Sequence, residues 1–165
     1  MFGKLSIIGC GLIGSSILRA AQEKKLASKI SVYDNSNRVM EYLKKNFSVD
    51  ICYNLSATVK DADLIIISAP LSSYKEILLS IKPNLKEGSI LTDTGSAKKE
   101  VNKIVNNLGL KNISWIASHP IAGTEHSGPD AGFSSLFENR WCILSAANQV
   151  AKDKIENLEK FWSKL

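Results

Sequence analysis

The sequence is poor in the residues that mark several function classes. Its 165 residues include only three cysteines, Cys10, Cys52 and Cys142, widely spaced and without a CxxC pair. An odd number in that layout argues against a disulfide framework and against a zinc site, so buried free thiols are expected and no metal is. No apolar run reaches the roughly eighteen residues that a membrane-spanning helix needs. The N-terminus enters a charged, strand-like segment directly, without the charged-then-apolar layout of a signal peptide. A soluble, cytoplasmic protein with no membrane partner is expected. The lysine pairs Lys24-Lys25, Lys44-Lys45 and Lys98-Lys99 fall in helix-like segments. They carry no interleaved aromatics and no helix-turn-helix, RRM or zinc-finger pattern. The net charge of +5 therefore reads as solvated helix faces, with no nucleic-acid partner. There is no internal repeat, low-complexity tract or linker. With 44% hydrophobic residues the chain can bury one good core, so one domain is expected.

What is present is an alternation of two periodicities. Lys4–Ile8 and Leu64–Ser68 are short, isoleucine-rich runs of the kind that form parallel strands covered on both faces. Ser31–Tyr33, Ile90–Leu91, Ile113–Ala117 and Trp141–Leu144 are similar. Between them, Gly11–Lys25, Arg38–Lys45, Tyr74–Ile81 and Lys98–Leu108 have helical apolar spacing, and Gly109 stands where a left-handed cap is wanted. The expected fold class is α/β, a doubly wound, mostly parallel sheet with helices on both faces. A last helical segment, Ala151–Leu165, stops without a cap or a following strand. That stop suggests a truncated chain.

Gly9-Cys10-Gly11-Leu12-Ile13-Gly14 is a GxGxxG that follows the strand Lys4–Ile8 and opens a helix. In that setting Gly9 permits the tight turn, Gly11 lets backbone approach a pyrophosphate, and Gly14 lets the helix pack on the strand. Free N–H groups at the helix start then face the phosphates. At the end of the next strand, Asp34 can accept hydrogen bonds from ribose hydroxyls and would repel a 2′-phosphate. Asn35 and Ser36 follow it, with Arg38 close by, so NAD is expected as cofactor in preference to NADP. The whole pattern is that of a Rossmann-type dinucleotide domain, but the same fingerprint occurs in non-catalytic modules.

Three further turns follow strand ends, where ligands bind in doubly wound sheets. They are Ala69-Pro70, Asp93-Thr94-Gly95-Ser96-Ala97-Lys98 and Ser118-His119-Pro120-Ile121-Ala122-Gly123-Thr124-Glu125-His126-Ser127-Gly128. His119 stands between an apolar strand and a proline; such a histidine can exchange a proton or satisfy loop hydrogen bonds, and position alone leaves both open. Thr124 and Glu125 can equally be loop-capping groups, and His126 is expected to be exposed without a role.

Gly9–Gly14, Thr92–Lys98, His119–Glu125 and Leu136-Phe137-Glu138-Asn139 together resemble the prephenate/arogenate dehydrogenase family, across nearly the whole chain. The DxGSxK and HPxAGTE elements carry most of that resemblance. It implies an NAD-dependent oxidative decarboxylation of prephenate or arogenate, in tyrosine biosynthesis. It also implies His119 as catalytic histidine and Ser96 as its assistant and a substrate contact. Thr124 would shape the substrate pocket and Glu125 control access to it, while Gly9–Gly14, Asp34, Ala69 and Pro70 would hold the cofactor. The family commonly has lysine where His126 stands. It also continues into a helical dimerisation and substrate domain that supplies an arginine. Residues 1–165 are thus expected to be the dinucleotide-binding domain only, inactive alone and dimeric only with the missing part. The rival readings are a 3-hydroxy-acid-type dehydrogenase, disfavoured by the HPxAG loop, and an NAD-sensing module without chemistry.

Overall fold

The computed structural model of the chain describes residues 1–147 and 149–165. Its elements run β1 (Phe2–Ile8), α1 (Leu12–Glu23), β2 (Ala27–Tyr33), α2 (Asn37–Asn46), β3 (Asp50–Ile51), α3 (Leu55–Val59), β4 (Leu64–Ile67), α4 (Tyr74–Ile81), β5 (Ile90–Asp93), α5 (Lys98–Leu108), β6 (Ser114–Pro120), β7 (Cys142–Ala146) and α6 (Lys152–Trp162). The strands form one seven-stranded sheet in the order β3-β2-β1-β4-β5-β6-β7. All neighbours are parallel except β6 and β7, which pair antiparallel. This is the expected Rossmann-type α/β architecture.

Alternation along the strands divides the core into a cluster on each face. Leu5, Ile7, Leu64, Ile66, Ile90 and Ile116 pack with α1, α2 and α6. Ile8, Ile65, Ile67 and Leu91 pack with α3, α4 and α5. Every residue of β4 is buried, as a central strand covered on both sides must be. Each such side chain contributes about 1.5–3 kcal/mol when fully withdrawn from water. Helix ends follow local chemistry: Ser36 accepts the Val39 N–H to start α2, and Gly109 closes α5 in the left-handed region at φ 54°.

Several boundaries differ from expectation. The strand expected at Ile113–Ala117 runs on through His119 to Pro120, because β7 pairs with it as far as Pro120 opposite Cys142. The short pair β3 and α3 was not anticipated. Trp141 precedes β7 and is exposed, not part of it. Only Cys10 of the three free thiols is fully buried; Cys52 and Cys142 are half-buried. Lys98 does not lie on a solvated face, as described below. Among the described residues, no helix is long and apolar enough to cross a membrane.

Candidate active site

The glycine turn is shaped by contacts that leave no room for side chains at two of its positions. Gly9 has φ +88°, and a Cβ there would sit 2.6 Å from the Ser68 carbonyl oxygen. A Cβ on Gly14 would collide with the Gly9 carbonyl oxygen. At Gly11, by contrast, a Cβ would meet nothing within 4 Å: this glycine faces open space. Gly11 caps α1 with no side-chain hydrogen bond, and the first-turn N–H groups of a helix have no intrahelical partner. The helix therefore presents bare donors and its positive end toward the space that Gly11 leaves clear.

Asp34 stands beside this turn at the end of β2. Its carboxylate accepts the Cys10 N–H at 2.8 Å and the Ser36 N–H at 2.9 Å, so the acid is oriented before any ligand arrives. Cys10, expected among the cofactor residues, has its N–H engaged by Asp34 and its side chain fully buried. Its structural place is behind the cradle. Burial, helped by the negative charge of Asp34, pushes its thiol well above the ordinary range, so the sulfur stays protonated and inert.

A cavity of about 690 Å³ joins this cradle to the other strand ends, a size within the range of ligand sites. Gly9, Gly11, Leu12, Ile13 and Asp34 line it on the side of β1 and β2, Ala69 stands against Gly9, and Ser96 and His119 line it on the side of β5 and β6. Gly14 lies behind the lining, where its role is close packing. Thr124 and Glu125 are exposed and outside the cavity lining. Thr124 Oγ1 accepts the His126 N–H at 3.2 Å, the loop-capping arrangement. The remainder of that loop is tied to α1: Phe133 N–H reaches Ser16 Oγ at 3.1 Å and Arg19 reaches the Pro129 carbonyl at 3.0 Å. Leu136 and Phe137 are core residues, Phe137 stacking edge-on against Trp162 at 5.6 Å. Thr94 and Gly95, in a turn expected to line the site, do line it; Glu76, in the first turn of α4, lines it as well, and no sequence motif singles it out.

The most buried charge of the region is Asp93, fully inaccessible at the end of β5. Lys98 Nζ lies 2.6 Å from each of its oxygens. Burial draws the Lys98 ammonium below its ordinary pKa against the opposing pull of Asp93. Burial, with the Asp93 charge adding to it, pushes the Tyr74 hydroxyl well above its usual range. Burial also raises the Cys142 thiol, to about 12, while the His119 backbone and Lys98 pull weakly the other way. Cys142 is thus an unreactive neighbour of the histidine strand.

The model of the family described as prephenate dehydrogenase, nucleotide-binding domain, matches residues 17–165. The chain belongs to this family. Cyclohexadienyl dehydrogenase of Zymomonas mobilis is 33% identical to it, over 100% of this chain and 56% of that protein. Prephenate dehydrogenase of Lactococcus lactis is 35% identical, over 94% of this chain and 44% of its own length. The chain thus spans about half the length of the curated relatives it matches. Among solved structures, prephenate dehydrogenase from Aquifex aeolicus in complex with hydroxyphenyl propionate and NAD+ superposes with a TM-score of 0.86 at 24% identity, over 99% of this chain and 57% of that one. At that identity the likeness is one of fold. The family match begins after Gly14, so the glycine turn lies outside it; the Zymomonas relative aligns across the turn as well.

Proposed function

We propose that this chain is the nucleotide-binding part of an NAD-dependent dehydrogenase that oxidatively decarboxylates prephenate or arogenate on the route to tyrosine. The observation that carries this reading is a single cavity with a phosphate cradle and an oriented carboxylate at one end and Ser96 with His119 at the other. The residues fit NAD: the space at Gly11 admits a pyrophosphate against bare N–H groups, and Asp34 keeps lone pairs for the adenosine ribose. Bound there, NAD would supply the hydride acceptor. Ala69 and Pro70 would also hold the cofactor, and Ser96 and His119 line the cavity on the side of β5 and β6, where the substrate carbon must stand.

His119 in its neutral form accepts the substrate hydroxyl proton as the C–H hydride leaves, which turns the carbinol into a carbonyl. The ring carboxylate then leaves as carbon dioxide. Its bonding pair aromatises the ring, and the resulting phenolate recovers a proton. Ser96 orients the hydroxyl; Thr124 and Glu125 would act only after movement of their loop toward the cavity.

The rest of the enzyme is required for this chemistry. No lysine or arginine is among the described residues lining the cavity, and the substrate's carboxylates need cationic partners. We assign these to a further helical segment that also forms the dimer, consistent with the greater length of the relatives. Each missing charge-assisted contact costs roughly 1.5–3 kcal/mol. Assays of residues 1–165 and of the full-length protein test the proposal by NADH formation. Turnover of prephenate or arogenate is expected only from the full-length protein, and robust turnover by the short chain would show its site to be self-contained.

A further inference from the structure

The parallel ladder between β5 and β6 pairs only Ile90 with Ser114 and Leu91 with Trp115. Beyond that point side chains bridge the strands. Thr92 Oγ1 and Ser118 Oγ lie 2.5 Å apart, and the Ser118 N–H donates to Asp93 Oδ1 at 3.2 Å. The same carboxylate accepts the Gly95 N–H at 3.2 Å and the Tyr74 hydroxyl at 3.4 Å, and that hydroxyl also lies 3.4 Å from the Ile67 carbonyl of β4. Asp93, Thr92 and Ser118 are all fully buried. Asp93 does not line the cavity, yet it holds the residue before Ser96 and the residue before His119, and through Tyr74 it reaches the end of the strand that leads into Ala69-Pro70.

We propose that Asp93, clamped by Lys98, is a positioning residue that fixes Ser96 relative to His119 across the fork between β5 and β6. The proposal rests on the reading of these two side chains as the reacting pair. A carboxylate suits the task because both oxygens accept. Lys98, Gly95 N–H and Ser118 N–H are all donors, and an amide in its place would turn an NH₂ toward at least one of them. Among the described residues Lys98 is the one cation paired with the buried charge, so removing either member strands the other. The cofactor cradle at Gly9–Gly14 shares none of these bonds, so the effect should separate from NAD binding.

The test is Asp93→Asn in the full-length protein, read in three ways. Amide hydrogen exchange at Gly95 and Ser118 should quicken about tenfold or more, with the amides of β1 unchanged. The kcat for prephenate should fall about 10²-fold, the scale of a misplacement near 1 Å, and NAD affinity should stay within about twofold of wild type. Lys98→Met is the second variant should Asp93→Asn fail to fold, and the same separation of kcat from NAD affinity is expected of it. Unchanged exchange at Gly95 and Ser118, or unchanged kcat in a folded variant, would overturn the proposal, as would loss of NAD affinity in step with kcat. Exchange needs no substrate. A wild-type protein inert toward prephenate and arogenate would therefore refute the assigned reaction, leaving exchange to decide the positioning.

Discussion

Two alanine substitutions three residues apart, about 4.5 Å along the helix axis, should separate the folding role of the glycine turn from its binding role. At Gly14 the added methyl meets the Gly9 carbonyl oxygen, with the carbonyl carbon at 3.0 Å and Ser68 Cβ at 3.4 Å. The obstacle is backbone, so α1 must shift away from β1. Overpacking of this kind costs about 1–3 kcal/mol, which at roughly 2–4 °C per kcal/mol for a domain of this size lowers Tm by about 2–12 °C. At Gly11 the backbone is extended with φ −69° and ψ −155°, and the methyl meets nothing within 4 Å. Alanine there is tolerated by the fold, so Tm should stay within about 2 °C. It projects, however, into the space assigned to the pyrophosphate. NAD affinity should drop about tenfold or more, equivalent to about 1.4 kcal/mol of lost approach. Thermal melts and NAD titrations on both variants supply the assay. Wild-type NAD binding by Gly11→Ala would refute the cradle, and an unshifted Tm for Gly14→Ala would refute the packing argument.

If Asp34 pairs with the ribose hydroxyls as proposed, paired titrations should show tighter binding of NAD than of NADP, and Asp34→Ser should narrow the gap; equal affinity would remove Asp34 from that role. The carboxyl of Asp63 is raised by burial but more than offset by hydrogen bonds from Lys86 Nζ and from Lys4 N–H at 2.9 Å, leaving it below its ordinary value. A lowered folded pKa stabilises the fold above the unfolded value near about 4 and loses that contribution as pH falls through the folded value. Asp63→Asn should therefore cost about 1 kcal/mol in urea melts at neutral pH, and the difference should shrink as pH falls below the unfolded value, whereas a constant difference on acidification would contradict the assignment.

The parts of this molecule legible in sequence are those with local causes. The glycine turn, the β4 run of Leu64–Ile67 and the cap at Gly109 follow from spacing and residue type, and α4 and α5 occupy their expected ranges. His119 was expected just beyond a strand because Ser118-His119-Pro120 reads as a polar turn. Its inclusion in β6 depends on β7, whose residues pair back from more than twenty positions along the chain. The two-residue strand β3 is too short for any periodicity to register. Asp93 stood inside a motif that drew notice for Ser96, while its own role depends on burial and on partners from α4, α5 and β6. Lys98 looked like one of a solvated pair for the same reason: only the fold brings the carboxylate to it. Thr124 and Glu125 entered through family resemblance and lie outside the cavity, whereas Leu136 and Phe137, part of the same resemblance, serve the core.

The most direct measurement is steady-state kinetics of His119→Asn in the full-length protein with prephenate and NAD. General-base assistance is typically worth about 10²–10⁴-fold. The kcat should fall by that amount with NAD affinity nearly unchanged, and Ser96→Ala should fall less. Wild-type turnover by the asparagine variant would return His119 to a loop-structural role and remove the proposed chemistry from this cavity.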